Sequence, residues 1–404
     1  MIRILKRDFD IISLYNFLLV LLVFSLSLNR KIAPILMILS LVTAVFLRFK
    51  YKHSIFKEKY FYFYLLFFLY QLIRTLFDQE NLSLGLRYVE KNLSFIVIPL
   101  IFIPELIKNI KTIYKSFIFG LILSIIILFF RISFFLLTTN NHNGIRFYYQ
   151  YFSKFGFHPT YLGMYALIAI IIIDNVHLFD KSKSKMLILF FSLVIFLTAS
   201  RIAMIALVLF FLYKSILNKR KFYLKIVILI LFSGVFAYSF SPDFRLKITQ
   251  LKNFKGFSYY DNNDYGSVSL RVAKIKAATR VWKKNKWFGV GYGQVEEQLI
   301  NFYKTKSIQC WPCMKRKYNT HNEYLQILAS LGNFGLFLFF LLIGYLFVDA
   351  LVHKKHMLLD IIFVFLMFGL TESILERQRG ITALLFFTVI AYHSSNLIKI
   401  SKNE

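Results

Sequence analysis

The sequence Lys317-Tyr-Asn-Thr-His-Asn-Glu-Tyr324 ends the longest polar interruption in an otherwise apolar chain. The interruption runs from residue 241 to residue 323, is rich in Lys, Arg, Gly and Asn, and gives way to apolar sequence at Tyr324. It decides the fold, because apolar runs long enough to cross a membrane lie on both sides of it. A histidine at the point where such a chain re-enters the membrane predicts a site at the water boundary.

The composition argues against a soluble protein. The chain has 404 residues, of which 58% are hydrophobic and 19% aromatic, and it contains 48 Phe. A soluble domain cannot bury apolar surface on this scale, since exposed patches beyond a few hundred Å² drive association. No small-residue cleavage site follows the first apolar run, so we interpret that run as a retained helix. We predict an all-α polytopic membrane protein.

The apolar runs predict about twelve transmembrane helices, nine within residues 1–240 and three within residues 324–404, because a helix of about 20 residues crosses the hydrocarbon core. The candidate spans are residues 11–28, 32–49, 60–77, 93–107, 113–137, 160–176, 186–200, 202–217, 222–240, 324–348, 357–374 and 381–397. The span at 93–107 is the least regular, since it contains Pro99 and Pro104.

The distribution of basic residues predicts the orientation. The net charge is +30, but about half of the basic residues lie in short loops between apolar runs, where they favour the cytoplasmic side. A cytoplasmic N-terminus gives that side about twice as many short-loop Lys and Arg residues as the other. We therefore expect a bacterial inner-membrane protein with both termini in the cytoplasm, the 241–323 loop in the periplasm, contacts with membrane lipids and no nucleic-acid partner.

Two features organise the loop. In one stretch the apolar residues fall on a single helical face, and this pattern predicts an amphipathic helix that rests on the membrane surface. The members of this face are Val268, Val272, Ile275, Thr279 and Trp282, with Arg271 and Lys274 to one side. The run Phe288-Gly-Val-Gly-Tyr-Gly293 follows, with three glycines at alternate positions. A turn beneath the site and a phosphate-binding loop are both open, and the missing strand–turn–helix context favours the turn.

Three basic residues are candidates for the site. Arg201 interrupts apolar sequence, where a charge costs about 2.5–3.5 kcal/mol in lipid, so it faces a cavity or snorkels to the interface. Arg271 is either a solvated or lipid-contacting charge or, in company, a phosphate ligand, since its planar fork matches phosphate oxygens. His321 is either structural or a base, because the positive end of a helix dipole favours the neutral imidazole.

Two further groups have open interpretations. Glu372 and Glu376 lie one turn apart with Arg377 and Arg379 nearby, and they form either an ion-paired cluster or a group that orients the substrate or the histidine. Cys310-Trp-Pro-Cys313 has redox-motif spacing but no βαβ context, and two cysteines do not make a zinc site. A local disulfide is expected in an oxidising compartment.

Taken together, four stretches resemble the O-antigen ligase/polymerase superfamily of bacterial membrane glycosyltransferases. They are Thr198-Ala-Ser-Arg201; Ser267-Val-Ser-Leu-Arg271 leading through Trp282 to Gly293; Thr320-His-Asn-Glu-Tyr-Leu325 followed by Leu331-Gly-Asn-Phe-Gly-Leu336; and Leu370-Thr-Glu-Ser373 with Glu376 and Gly380. The resemblance is strongest over residues 199–380, and the N-terminal helices match only in hydrophobicity.

The resemblance implies a periplasmic catalytic site for a glycan linked to undecaprenyl diphosphate. It implies that Arg201 and Arg271 bind the donor diphosphate, that His321 deprotonates the acceptor hydroxyl, and that Glu372 is a supporting acid. It implies neither a cofactor nor a metal ion. The expected acceptor is lipid A–core, as in a ligase, or another lipid-linked glycan, as in a polymerase. A protein acceptor is disfavoured, because no added acceptor-recognition domain is recognisable.

A polysaccharide flippase or other transporter is the alternative from a different class. A transporter favours charged residues deep within several helices and an internal repeat. This chain instead concentrates its charges at one outer boundary beside one large loop. The prediction is therefore an inverting glycosyltransferase whose site lies at the end of the loop.

Overall fold

The computed structural model describes residues 2–28, 31–78, 81–138, 148–218, 222–230, 249 and 267–403, and the regular structure in these residues is helical throughout. The helices are α1 (Ile2–Ser25), α2 (Ile32–Tyr51), α3 (Lys59–Leu76), α4 (Leu82–Asn92), α5 (Ser94–Ile101), α6 (Ile110–Thr138), α7 (Tyr148–Lys154), α8 (Pro159–Val176), α9 (Lys181–Leu197), α10 (Arg201–Asn218), α11 (222–230), α12 (Ser267–Lys284), α13 (Val295–Tyr303), α14 (Trp311–Lys315), α15 (Glu323–Val352), α16 (His356–Gly369) and α17 (Gln378–Asn403). Short 3-10 turns occupy Ile55–Lys57, Pro104–Leu106 and Ile374–Glu376.

Four of the described helices are long and apolar enough to cross a membrane, namely α2, α6, α8 and α15. Ile11–Ser25 and α16 are shorter apolar helices. Large apolar side chains such as Phe49 and Phe130 are exposed on the outside of the bundle, which suits a lipid environment. The all-α membrane class is confirmed, whereas the count of twelve spans, the side of the loop and the domain boundaries stay predictions.

The predicted span at residues 93–107 is corrected by the structure. The segment divides into the eight-residue helix α5 and the 3-10 turn that begins at Pro104. Proline has no N–H group to continue a helix, and it disfavours helical geometry in the residue before it. Arg48 of α2 donates to the carbonyl oxygens of Leu100 at 2.9 Å and Phe102 at 2.8 Å, so the groups freed at the helix end are satisfied inside the bundle. The predicted span at 222–240 is helical over 222–230, and its remainder lies outside the described residues.

Helix α8 lies at the centre of the bundle. Every residue from Tyr161 to Asp174 is buried, and α8 packs against α6, α9, α10 and α16. A helix that is hydrophobic on all sides belongs in such a position, because no face is left for water. Its first turn, beginning at Pro159, therefore has a fixed position at the end of the bundle that carries His321.

The described part of the predicted loop has its own small core, and this changes the interpretation of its amphipathic helix. The helix is present as α12, but it packs on α13 and α15 instead of resting on the membrane surface. Its innermost residues are Ala273, Ala277 and Val281, each 0% exposed. Because alanine side chains are small, they let neighbouring helices approach closely. A prediction based on large apolar residues therefore assigns the buried side of α12 to a different face. Residues 241–248 and 250–266 lie outside the described residues.

Candidate active site

His321 lies in a turn directly before α15. Its backbone φ is 47°, a left-handed conformation that is uncommon for residues other than glycine. Asn322 is the N-cap of α15, and its Oδ1 accepts a hydrogen bond from Leu325 N–H at 2.9 Å. The Thr320 hydroxyl donates to Asn322 O at 2.7 Å. These two bonds fix the backbone of His321 relative to the helix.

The turn that follows α16 brings a carboxylate to His321. Leu375 N–H donates to the Oε2 atom of Glu323 at 2.9 Å, which attaches this turn to the first residue of α15. His321 Nδ1 then lies 3.6 Å from Glu372 Oε2. This separation is slightly longer than a hydrogen bond, as is common for catalytic pairs without substrate. The structure thus pairs two candidates that lie far apart in the sequence.

The surroundings of the pair favour a neutral imidazole beside an ionised carboxylate. Burial lowers the pKa of His321, and the positive charges of Lys274 and His158 add to this, although Glu372 opposes it. Burial alone raises the pKa of Glu372, but its contact with His321, together with His158 and a hydrogen bond from Thr160, lowers it overall. When Nδ1–H of His321 points at the carboxylate, the lone pair of Nε2 is left to accept a proton.

Arg201 and Arg271 approach this pair from two other helices. Arg201 is the first residue of α10, and Arg271 lies near the start of α12. The two guanidinium groups are close enough to repel each other, and Arg271 is attracted to Glu372. Burial lowers the pKa of Arg271, but a guanidinium stays protonated at any physiological pH. The site therefore holds the fixed positive charge of Arg271 near the carboxylate, with Arg201 next to Arg271.

Lys274 is a third cation in this group, and the sequence analysis placed it only beside the amphipathic face. Its side chain is buried, and its ammonium group lies 4.0 Å from the centre of the Tyr318 ring. Burial lowers the pKa of Lys274 to about 7, with Glu372 raising it and Arg271 lowering it further. One signal was present in the sequence, because Lys274 follows Arg271 by three residues and such pairs share a side of a helix.

His158 and Thr160, at the start of α8, also belong to the site. Both act on Glu372, His158 through its charge and Thr160 through a hydrogen bond. No local motif identified them, because they reach the site only through the central position of α8 in the bundle. Glu376 has a different environment from Glu372, since it accepts hydrogen bonds from the side-chain amides of Asn319 and Gln326.

A cavity of about 400 Å³ opens beside His321. The rings of Tyr88 and Tyr318 contribute to its wall, together with His321 itself. Arg201 and Arg271 are not among the described residues that line it. The imidazole of His321 therefore lies at the boundary between the cavity and the arginine pair.

The glycine run forms a turn that packs against a kink in α15. Gly289 and Gly291 have φ values of 66° and 89°, and Gly332, at the kink, has a φ of 71°. Val290 N–H donates to Ala329 O and Gly291 N–H to Ser330 O, both at 2.9 Å. Backbone donors of the turn are thus committed to protein carbonyls, which favours the structural turn over the phosphate-binding loop.

The cysteine pair lies in the small core of the loop. Cys310 and Cys313 are joined by a disulfide, and both side chains are buried. The bond closes a tight turn at the start of α14. Among the described residues, no group of three or more His, Cys, Asp or Glu side chains converges as a metal site.

The fold and the site together define a helical membrane protein with a histidine–carboxylate pair and a cluster of cations at one end of the bundle. Residues 186–340 match the family model described as O-antigen ligase. The match confirms the resemblance noted in the sequence over this stretch, and it supports an enzyme of the membrane glycosyltransferase-like kind found in the O-antigen ligase superfamily. The matched stretch contains Arg201, Arg271 and His321, whereas Glu372 lies beyond it. The comparison with curated proteins found no match.

Proposed function

We propose that this protein transfers a glycan from undecaprenyl diphosphate to a hydroxyl group of an acceptor on the periplasmic face of the inner membrane. The observation that carries the proposal is the approach of His321 to Glu372, 3.6 Å between Nδ1 and Oε2, beside a cluster of buried cations. A base next to fixed positive charge is the arrangement that glycosyl transfer from a diphosphate requires.

In the proposed reaction, the acceptor oxygen attacks the anomeric carbon of the donor glycan while Nε2 of His321 takes the hydroxyl proton. The bond between the anomeric carbon and the diphosphate oxygen breaks, and its electron pair leaves with the diphosphate. Attack from the face opposite the leaving group inverts the anomeric configuration. Glu372 stabilises the imidazolium that forms, as carboxylates do in other histidine-dependent sites.

The leaving diphosphate gains one negative charge in this step. Arg201, Arg271 and Lys274 neutralise that charge, and guanidinium groups suit the task because they donate two parallel hydrogen bonds to phosphate oxygens. Preorganised cations of this kind stabilise the transition state without reorganising during the reaction. In this proposal side chains supply both the base and the positive charge, so neither a metal ion nor a cofactor takes part.

Replacement of His321 tests the proposed class. His321→Ala is expected to abolish transfer while lipid-linked donor still binds, because the base is lost and the cations remain. The measurement is product formation and donor affinity for the purified protein in lipid nanodiscs. If the protein were instead a flippase, the His321→Ala variant would still move donor across the membrane of a vesicle. Transfer at the wild-type rate in His321→Ala would remove the base assignment.

For the acceptor we propose lipid A–core, which makes the protein an O-antigen ligase. The test is the glycan that accumulates in cells lacking it. Uncapped core together with lipid-linked polymer is the expected result. Core capped with a single repeat unit would instead identify a repeat-unit polymerase with a lipid-linked acceptor.

A further inference from the structure

The cavity beside His321 has a strongly basic wall that the proposed transfer chemistry does not use. Four cations line it, namely Lys91, Arg316, Lys317 and Arg377, against the two acids Glu296 and Glu376. These residues come from α4, the segments around α14 and α13, and the turn before α17. The excess of positive charge is therefore assembled by the fold and does not reflect one basic run of sequence.

Both acids of the cavity are already engaged by the protein. Glu296 lies 3.4 Å from the ammonium of Lys317, which forms an ion pair with it. Glu376 accepts hydrogen bonds from the amides of Asn319 and Gln326. Burial also raises the pKa of Glu376, although the charges of Arg377 and Lys91 oppose this shift, so Glu376 is a weakened counter-charge to these two cations. The wall nevertheless holds four cations against two acids, so positive charge is in excess.

Two of the cations are held against tyrosine rings at the cavity wall. The ammonium of Lys91 lies 4.4 Å from the centre of the Tyr88 ring. Arg316 Nη1 donates to the Tyr318 hydroxyl at 2.9 Å. These contacts hold the two cations in place at the wall, where they suit a glycan that bears an anionic substituent, since a phosphate or carboxylate accepts charged hydrogen bonds from them.

The position of the cavity assigns it to one of the two substrates. His321, the proposed base, lines the cavity, whereas Arg201 and Arg271, the proposed diphosphate ligands, do not. A base must reach the proton of the attacking hydroxyl, so the molecule that carries this hydroxyl occupies the cavity. The volume of about 400 Å³ falls in the range of about 300–1,000 Å³ that small-molecule sites have.

We infer that this cavity is the acceptor subsite and that it selects an anionic glycan, one bearing phosphate or carboxylate groups near the reacting hydroxyl. The inference rests on the proposed function, because the assignment to the acceptor depends on His321 as the base. Clefts lined by one sign of charge concentrate ligands of the opposite sign. The acceptor anion would lie among Lys91, Arg316 and Arg377, with the donor diphosphate beyond His321.

The test is equilibrium binding to the full-length protein in nanodiscs without donor. The probes are three matched trisaccharides: a neutral one, the same with a phosphate monoester, and the same with a terminal hexuronic acid. The wild type is expected to bind the anionic probes about tenfold more tightly than the neutral probe at low salt, with the difference shrinking at high salt. The variant that combines Lys91→Gln and Arg316→Gln is expected to lose that difference.

The matched control combines Lys304→Gln and Lys306→Gln, which removes the same charge from exposed positions of the same loop outside the cavity. The control is expected to keep the preference for anionic probes. Equal binding of all three probes to the wild type would overturn the inference, and so would an equal loss in control and cavity variants. The binding test contains no donor, so its result is independent of the transfer assay. A protein that transfers glycan but shows no preference for anionic probes would defeat this inference alone. A protein that prefers anionic probes but transfers no glycan would defeat the proposed function alone.

Discussion

Replacing Glu372 with Gln is expected to slow glycan transfer by about 100- to 1,000-fold while donor binding changes little. In the proposed reaction the carboxylate stabilises the imidazolium formed when His321 takes a proton, and His321 Nδ1 and Glu372 Oε2 are 3.6 Å apart. Two unit charges at this distance interact by about 4–5 kcal/mol at an effective dielectric constant of about 20. That energy corresponds to about three orders of magnitude in rate.

The expected loss lies at or below this limit for two reasons. The side chain of His321 is 25% exposed, so solvent screens part of the attraction. The amide oxygen of a glutamine also accepts a hydrogen bond from Nδ1–H and keeps part of the ring orientation. Glu372→Asp, which retains the charge at a greater distance, is expected to have an intermediate rate.

The assay is the initial rate of transfer in nanodiscs at varied donor concentration, which separates kcat from KM. Glu297→Gln is the control for the loss of a carboxylate, since Glu297 is an exposed acid of α13. Its rate is expected to equal that of the wild type. A rate for Glu372→Gln within threefold of the wild type would refute the role of the carboxylate. An effect confined to the KM of the donor would do the same.

Three further predictions concern the cations, the pH profile and the kink. Arg201→Ala and Arg271→Ala are each expected to weaken donor binding by about 10- to 100-fold, because each removes charged hydrogen bonds worth about 1.5–3 kcal/mol. The KM of the donor is expected to rise as the pH passes upward through about 7, because Lys274 then loses its proton, and Lys274→Arg should remove this rise. At lower pH, kcat should fall as the imidazole of His321 becomes protonated. Burial lowers the pKa of His321, so this fall is expected at a pH below the ordinary pKa of histidine. Gly332→Ala is expected to lower the free energy of unfolding by about 1–2 kcal/mol or more, since its φ is 71° and a Cβ atom would lie 2.3 Å from a backbone oxygen.

Each of these predictions has an outcome that would contradict it. Unchanged donor affinity in both arginine variants would remove their diphosphate role. A pH-independent donor KM in the wild type would show that the charge of Lys274 does not contribute. For the kink, Gly344→Ala is the control, since a Cβ atom at Gly344 meets no atom within 4 Å. Equal unfolding midpoints for the two glycine variants would contradict the steric argument.

The membrane class and the central histidine could be predicted from the sequence for simple reasons. Apolar runs of about 20 residues report the hydrocarbon core directly, and His321 lies where such a run resumes. The sequence did not predict whether His321 contacts Glu372, because this contact depends on how the turn after α16 packs on α15. Sequence spacing alone did not separate Glu372 from Glu376, and only the resemblance favoured Glu372 as the supporting acid, whereas in the structure the two glutamates have different neighbours.

Other parts of the site had no usable sequence signal. In the sequence, Lys274 resembles the other basic residues of its loop. It belongs to the site because the alanine face of α12 is buried, and this packing places Lys274 beside the other site residues. His158 and Thr160 contribute only because α8 lies at the centre of the bundle. The segment at 93–107 is apolar enough to suggest a span, but its helix ends at Ile101, before the 3-10 turn that begins at Pro104. Hydrophobicity reports the solvent around a segment, whereas these features depend on packing between distant segments.

The hydrogen bond from Leu375 to Glu323 also bears on biogenesis. Glu372 is supplied by the turn between α16 and α17, so a nascent chain that has emerged only as far as His321 has its base without the carboxylate partner. The proposed diphosphate ligands and the proposed base are synthesised earlier, and under the proposed function they become a complete set only when the following hairpin inserts. Under the proposed function, transfer by a nascent chain is therefore expected to be slowed as in Glu372→Gln, so a ribosome-bound intermediate would consume little lipid-linked glycan.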